Sequence, residues 1–218
     1  DISESIFDSL DSKQTGIDFS NDLKDNDKFN IISYLYYYNG GGVAIGDINN
    51  DGIEDIYFSG NQTPDQLYLN KGGMQFENIT QKAGIRADNT WSTGVNMDDV
   101  NGDGFVDIYV CKVATSDANE IEHNLLYLNQ GDGTFKEMSK DYGLNFKGFS
   151  NQAAFFDYDQ DGDLDIYLLN QNIHNVNSYG TIEKRNENDP FAGDLFYENR
   201  LKEDGKFVDV TKSAGIYN

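Results

Sequence analysis

The chain has 218 residues, of which 38% are hydrophobic and 13% aromatic, enough for a packed core of ordinary domain size. Its 38 Asp and Glu outnumber 16 Lys and Arg, and the formal net charge of -22 makes the surface repel the phosphates of nucleic acids and anionic lipids. The single cysteine, Cys111, excludes an intrachain disulfide and a cysteine-based metal cluster, and no apolar run approaches the roughly 18 residues of a membrane span.

The first element in chain order lies in residues 1–40, where "IFDSLDSKQTGIDF" resembles the end of the repeats that follow it. The corresponding pairs, with one extra residue in the first stretch, are Phe7 with Phe76, Leu10 with Ile79, Gly16 with Gly84, and Ile17 with Ile85. We expect this segment to supply an isolated outer strand to a last unit, whose other strands come from sequence after Asn218.

Three repeated units follow, at residues 41–92, 93–150 and 151–218. They open with "GVAIGDINNDGIEDIYFSG" from Gly42, "GVNMDDVNGDGFVDIYVCK" from Gly94 and "QAAFFDYDQDGDLDIYLLN" from Gln152. A second shared element reads "LYLNKGGMQF", "LYLNQGDGTF" and, more loosely, "LFYENRLKEDGKF". The units close with "ENITQKAGI", "KEMSKDYGL" and "VDVTKSAGI". Internal repetition of this kind predicts one structural unit per repeat.

Each unit reads as four short strands. In the first unit, Val, Ile, Phe and Tyr gather at about 42–46, 54–59, 66–70 and 75–79, separated by turn residues. Four antiparallel strands in this length match a β-propeller blade, and the lack of a 3.6-residue apolar period excludes a helical solenoid. We therefore predict an all-β fold with three four-stranded blades of an incomplete propeller ring and an N-terminal strand from a closing blade. Assembly of partial rings from several chains is the alternative.

The loop between the first two strands of each unit concentrates side-chain oxygens, fitting D-x-[DN]-x-D-G-x-x-D three times. Oxygens at positions one, three, five and nine, with the backbone carbonyl of position seven, form the all-oxygen shell that calcium prefers, whereas zinc would need His or Cys. The glycine at position six allows a sharp turn. We predict three Ca²⁺ ions, one per loop, bound by Asp47, Asn49, Asp51, Ile53 and Asp55; by Asp99, Asn101, Asp103, Phe105 and Asp107; and by Asp157, Asp159, Asp161, Asp163 and Asp165.

Two other interpretations of these loops are weaker. An EF-hand needs a bidentate Glu at position twelve, where these loops have Phe58, Val110 and Leu168, and a strand rather than a helix follows position nine. A plain polar hairpin turn needs only one Asp or Asn with a Gly. Three matches in register with the repeat favour ion binding over that alternative.

The units resemble the FG-GAP or VCBS-type propeller repeats of integrin α-subunits and of many secreted bacterial proteins. The stretch "YNGGGVAIGDINNDGIEDIYFSGN", with the later "LYLNKG", "ITQKAGI" and "WSTGV", is similar to the ASPIC/UnbV group, which includes cartilage acidic protein. The resemblance covers nearly the whole chain. It implies a calcium-bearing propeller, commonly of seven blades, that serves in binding.

No catalytic constellation is visible. His123 and His174 lie in loops, and no nucleophile-elbow, zinc-protease or phosphate-loop pattern accompanies them. The glycine run at 39–42 lacks the Lys and helix that phosphate binding needs, so we expect it to let the first strands approach one another.

The functional prediction is therefore an extracytoplasmic calcium-binding module for protein or ligand binding or scaffolding, not an enzyme. We expect the protein to be secreted or held at the cell surface, for example as a bacterial surface lipoprotein from which the leader has been removed. A propeller carbohydrate-active enzyme, a lyase or hydrolase, and a lectin-like glycan binder are the alternatives. The expected partners are a protein or glycan on the cell surface and further blades of a longer chain, and not nucleic acid.

The connections between second and third strands lengthen along the chain, reaching 170–194 in the third unit. Insertions in repeat proteins gather on the functional face, which here lies opposite the acidic loops. The alternative is that this insertion packs on a neighbouring blade or is disordered. Aromatic and cationic residues of the kind enriched at binding hot spots predict a partner surface made of Trp91, Phe146, Phe149, Tyr179, Lys184, Arg185 and Phe191.

Overall fold

The computed structural model describes residues 7–27, 30–113, 122–171 and 193–216. Within these ranges the regular secondary structure consists of β-strands and one helical turn, α1 (Ser12–Thr15), and no helix there is long and apolar enough to cross a membrane. The strands are β1 (Val43–Gly46), β2 (Asp55–Phe58), β3 (Gln66–Asn70), β4 (Phe76–Asn78), β5 (Ser92–Asp98), β6 (Asp107–Lys112), β7 (Leu125–Asn129), β8 (Phe135–Glu137), β9 (Ser150–Phe156), β10 (Asp165–Asn170), β11 (Leu195–Arg200) and β12 (Lys206–Asp209).

The strands form three four-stranded antiparallel sheets, in the orders β1-β2-β3-β4, β5-β6-β7-β8 and β9-β10-β11-β12. Each sheet corresponds to one predicted unit, and the strands of the first unit begin and end within one residue of their predicted bounds. β5 and β9 begin immediately before the predicted unit boundaries, at Ser92 and Ser150. The prediction of an all-β chain with three four-stranded blades is confirmed.

The first strands of the blades lie side by side, β1 against β5 and β5 against β9. Glycine makes this approach possible. A Cβ built on Gly42 would lie 2.7 Å from the carbonyl oxygen of Thr93, and one on Gly94 would lie 2.5 Å from that of Asn151. Any larger residue at these positions would push the inner strands apart.

Apolar side chains fill the two spaces between the blades. The strand alternation divides β6 between them, because successive side chains point to opposite faces. Ile108 and Val110 join the core shared with the first blade, whereas Tyr109 and Cys111 join the core shared with the third. All six residues of β6 are buried, since this strand has a blade on each side.

A buried ion pair links the first two blades at the end opposite the acidic loops. The Lys112 ammonium of β6 lies 3.6 Å from the Asp65 carboxylate, which precedes β3, and each side chain is 3% exposed. The ammonium also donates to the hydroxyls of Thr90 at 2.8 Å and Ser92 at 2.6 Å. Burial lowers the pKa of Lys112, and the Asp65 carboxylate opposes this shift.

Residues 7–27 occupy the place that the end of a preceding unit would take against the first sheet. Gly16 approaches the Phe76 carbonyl as Gly84 approaches that of Phe135, each with a left-handed φ, of 76° and 77°. This arrangement agrees with the sequence correspondence between Gly16 and Gly84.

The outer strand predicted for the N-terminal segment is not formed in residues 7–27. After the predicted strand residues, Asp11 caps α1, accepting hydrogen bonds from the backbone N–H groups of Lys13 and Gln14 at 2.9 Å each. A strand needs a neighbouring strand for its hydrogen bonds. Phe7 and Leu10, which the prediction placed in that strand, lie outside every sheet among the described residues and are 81% and 43% exposed.

Candidate metal centre

The three acidic loops lie at one end of the blades, where they join β1 to β2, β5 to β6 and β9 to β10. In each loop the carboxylate at position one accepts hydrogen bonds from the backbone N–H groups of positions five and six. For Asp47 the distances are 3.1 and 2.7 Å, for Asp99 3.0 and 2.8 Å, and for Asp157 3.1 Å each. The same backbone path is therefore built three times.

Positions three and five continue the pattern. The side-chain oxygen of position three accepts from the backbone N–H of position five, at 3.1 Å for Asn49, 2.9 Å for Asn101 and 3.3 Å for Asp159. The carboxylate of position five accepts from the N–H of position seven, at 2.9 to 3.1 Å in the three loops. These bonds fix the side chains on the inside of the turn.

Two positions of each loop adopt left-handed backbone conformations. The predicted turn glycine at position six has φ of 85° at Gly52, 89° at Gly104 and 93° at Gly162. Position four is also left-handed, with φ of 58° at Asn50, 73° at Gly102 and 64° at Gln160. The sequence did not predict the second feature, because these residues share no type.

The carboxylate at position nine forms the buried base of each loop. Asp55, Asp107 and Asp165 are at most 1% exposed. In the second loop, Asp107 accepts from the backbone N–H groups of Val100 at 3.1 Å and Asn129 at 2.9 Å. Burial raises the pKa of Asp107 to about 7, these N–H groups lower it in part, and the neighbouring acidic side chains raise it further. Burial likewise raises the pKa values of Asp55 and Asp165.

The third loop fits a single cation in its dimensions. Oxygens of Asp157, Asp159 and Asp165 lie within 4.8 Å of one another. Two ligands of one calcium ion, each about 2.3–2.6 Å from it, lie at most about 5 Å apart, so these three can share an ion. Asp163 binds Lys202 through one carboxylate oxygen at 3.1 Å, and its other oxygen is buried without a hydrogen-bond partner.

In the first two loops an asparagine replaces the acid at position three, and its amide nitrogen donates to the position-five carboxylate at 2.9 Å. Among the described residues, only Asp157, Asp159 and Asp165 of the third loop have carboxylate oxygens close enough together to share an ion, so the remaining side-chain ligands of the three loops stay a prediction. The carbonyls of Ile53, Phe105 and Asp163 as ligands stay a prediction.

Sequence reasoning missed an asparagine at the end of the third strand of each blade: Asn70, Asn129 and Asn199. The backbone N–H of each donates to the position-nine carboxylate, at 2.7 to 2.9 Å. Each side-chain amide also donates to the carbonyl of position eight in its own loop, at 2.8 to 3.1 Å. The repeated Asn of "LYLN" and "YENR" was the available signal.

The predicted partner surface is only partly within the described residues. Trp91 is 2% exposed and packs against Tyr34 and Tyr37, with ring centroids 5.7 and 5.3 Å away. Residues 30–40 cover it at this end of the blades, and its partner-binding role stays a prediction that nothing here tests. Phe149 packs against the same aromatic cluster, and Phe146 packs against the core between the second and third blades. Both side chains are half-buried. The remaining predicted residues, Tyr179, Lys184, Arg185 and Phe191, lie outside the described residues.

Comparison with known proteins identifies the repeat. The FG-GAP-like repeat family matches residues 47–110 and 113–168, which include all three acidic loops. Cartilage acidic protein 1 of Xenopus tropicalis is 25% identical over 173 residues, and that of Homo sapiens is 25% identical over 175 residues. Each match covers 78% of this chain, which spans about a quarter of the length of these relatives. With its three four-stranded blades and its repeated acidic loops, the chain belongs to the FG-GAP-like repeat family.

Proposed function

We propose that this chain is a calcium-binding propeller module for protein or ligand binding or scaffolding, and that it works outside the cytoplasm. The observation that carries the proposal is one loop geometry repeated three times at one end of the blades, each time over a buried carboxylate. A polar turn has no need of a buried acid, whereas a cation site does.

The charge of the loops supports a divalent cation. Asp107 is surrounded by the carboxylates of Asp99 and Asp103, both of which raise its pKa and so oppose its ionisation. A divalent ion bound among them supplies the largest local positive charge and favours all three ionised forms. Oxygen-only ligands on a flexible turn suit calcium better than magnesium, which demands near-octahedral geometry and retains several waters.

The expected affinity indicates the compartment. Calcium sites of extracellular modules bind at about 10⁻⁴ to 10⁻³ M, so these loops would be filled only where calcium is abundant. At a free concentration about ten times the dissociation constant, each ion would add about 1.4 kcal/mol to the free energy of unfolding. A secreted or cell-surface location meets this condition.

Two open faces support the proposal that further blades bind this chain. Val43 on the outer face of the first blade is 57% exposed, whereas its equivalent in the middle blade, Val95, is 4% exposed. On the outer face of the third blade Leu169 is 42% exposed, whereas its equivalent Cys111 is fully buried. We propose that both faces receive blades of the same type.

Thermal unfolding tests the calcium proposal. We expect the melting temperature to rise when millimolar calcium is added and to fall again with excess chelator, while equimolar magnesium has a smaller effect. The matched control carries Asp51→Asn, Asp103→Asn and Asp161→Asn, which keep the size of each side chain and remove one charge per loop. A wild-type melting temperature that does not change with calcium would count against the proposal, as would an equal calcium-dependent rise in the control variant.

A further inference from the structure

The acidic loops of the first two blades are joined by one side chain. The amide group of Asn129 donates one hydrogen bond to the Ile48 carbonyl of the first loop, at 2.8 Å, and another to the Val106 carbonyl of the second, at 3.1 Å. Its side-chain oxygen accepts from the Gly131 N–H at 2.9 Å. Asn129 is 4% exposed, so this fully bonded amide holds the two loops in a fixed relation.

The second and third blades repeat the arrangement. Asn199 donates to the Val100 carbonyl of the second loop at 3.3 Å and to the Leu164 carbonyl of the third at 3.1 Å. Its side-chain oxygen accepts from the Leu201 N–H at 3.0 Å, and the residue is again 4% exposed. The link between loops is therefore a property of the repeat.

The carbonyls that receive these bonds adjoin the proposed ligands. Ile48 is position two, between the first two ligand side chains, and its own N–H donates to Asp55 at 3.0 Å. Val106 is position eight, directly before Asp107. The backbone N–H of Asn129 also donates to Asp107. Asn129 thus contacts the backbone of both loops, beside a proposed ligand in each.

We infer that Asn129 and Asn199 are positioning residues that couple cation binding in neighbouring loops. The inference rests on the proposed calcium function. An ion in the first loop fixes the Ile48 peptide, which holds Asn129, and Asn129 holds Val106 and Asp107 in the geometry that the second ion needs. The second ion then meets a loop that is already ordered, and by linkage each ion favours the other equally.

A further hydrogen bond makes the first pair of loops more strongly linked than the second. Asn50, at position four of the first loop, donates from its side chain to the Gly104 carbonyl at 3.0 Å. Position four of the second loop is Gly102, which has no side chain to reach the third. The coupling between the first and second loops should therefore exceed that between the second and third.

Asn70 provides an internal control. It makes the same contacts within its own loop, to Asp55 and to the Glu54 carbonyl, but among the described residues it contacts no loop of a preceding blade. Asn70→Ala should weaken calcium binding in the first loop alone and leave the coupling between loops unchanged.

Calorimetric calcium titration of loop-silenced chains measures the coupling. Replacing the acids at positions one and five by Asn silences a loop while leaving its buried base intact. With the third loop silenced, chains keeping the first, the second or both loops give the affinity of each loop alone and together. We expect each ion to raise the affinity of the other about five-fold or more, the lower end of typical coupling between sites.

The asparagine variants assign that coupling to residues. Asn129→Ala should reduce the factor between the first and second loops to the part that Asn50 carries, Asn129→Ala combined with Asn50→Gly should bring it to near one, and Asn199→Ala should leave it unchanged. Between the second and third loops, Asn199→Ala should reduce the factor to near one and Asn129→Ala should leave it unchanged. Asn50→Gly should lower the first factor in part, because glycine adopts the left-handed backbone without strain.

Amide hydrogen exchange keeps the inference testable even if an asparagine variant does not fold. In a chain with the second and third loops silenced, calcium in the first loop should slow exchange at residues 99–107; unchanged exchange there would overturn the inference. Absence of calcium binding would refute the proposed function itself. Calcium binding with a factor of one, or a factor that is unchanged in Asn129→Ala, would refute the coupling alone.

Discussion

Replacing Asp65 by Asn should destabilise the chain by leaving the buried Lys112 without its counter-charge. The change keeps the shape of the side chain, and an asparagine fits this place, since Asn124 occupies it in the second blade and accepts from the Lys112 N–H at 2.8 Å. The oxygen of the introduced amide can still accept from the Gly60 N–H, which in the wild-type chain donates to Asp65 at 2.8 Å. What is lost is the negative charge beside a 3%-exposed ammonium, together with the oxygen that accepts hydrogen bonds from the hydroxyls of Tyr57 and Ser92 at 2.9 Å each.

The size of the expected loss in free energy of unfolding follows from the burial of the ion pair between Lys112 and Asp65. Removing one partner of a buried ion pair costs about 3–5 kcal/mol, because the remaining charge has no counter-ion. The hydroxyls of Thr90 and Ser92 stay within hydrogen-bonding distance of the ammonium, whereas the Tyr57 and Ser92 hydroxyls lose their acceptor, so we expect a loss within this range, about 4 kcal/mol. Urea unfolding followed by circular dichroism would measure it as a lower midpoint with an unchanged slope.

The pH dependence checks the cause. The pKa of Lys112 is lower in the folded chain than in the unfolded chain. Below the folded pKa, the buried charge therefore lowers the free energy of unfolding, and this free energy rises again as the pH increases from the folded pKa to the unfolded pKa. The difference in free energy of unfolding between wild type and Asp65→Asn should therefore be smaller at pH 10 than at pH 7. The double variant with Lys112→Met should recover most of the lost stability. A single variant as stable as wild type, or a deficit that grows at high pH, would refute the reasoning.

Three further predictions concern other parts of the chain. Asp103→Asn or Asp161→Asn should weaken calcium binding at one loop without lowering the stability of the calcium-free chain; a strongly destabilised calcium-free variant would show that the carboxylate has a structural role. Gly94→Ala should destabilise the chain by about 1–3 kcal/mol in thermal unfolding, because its Cβ would meet the Asn151 carbonyl at 2.5 Å, and an unchanged melting temperature would contradict the close packing of the inner strands. Cys111, whose pKa is raised by burial, should not react with a thiol reagent until the chain unfolds; rapid labelling of the folded chain would contradict its burial.

The strands and the acidic loops could be predicted because their signals are local and repeated. Alternating apolar residues mark each strand, and the D-x-[DN]-x-D-G-x-x-D spacing marks each loop within nine positions. The helical turn α1 also had a local signal, Asp11 followed by Gln14, which form a capping box. This turn lies where the first blade has a turn after its fourth strand, at residues 80–84, so it does not replace the strand predicted at Phe7 and Leu10.

Contacts between distant parts of the chain could not be predicted. The burial of Trp91 depends on Tyr34 and Tyr37, which reach it only after the N-terminal segment folds over the blades. The bond from Asn129 to the Ile48 carbonyl spans 81 residues. The repeated asparagine was visible in the sequence, but its second partner belongs to another blade and depends on how the blades pack.

Calorimetric titration of the wild-type chain with calcium tests the proposed function most directly, by counting the ions. The repeated loops predict a stoichiometry near three, reduced to near two when a single loop carries Asn at positions one and five. A stoichiometry near zero under conditions where the chain is folded, or one that does not change when a loop is silenced, would contradict the assignment of the loops as calcium sites.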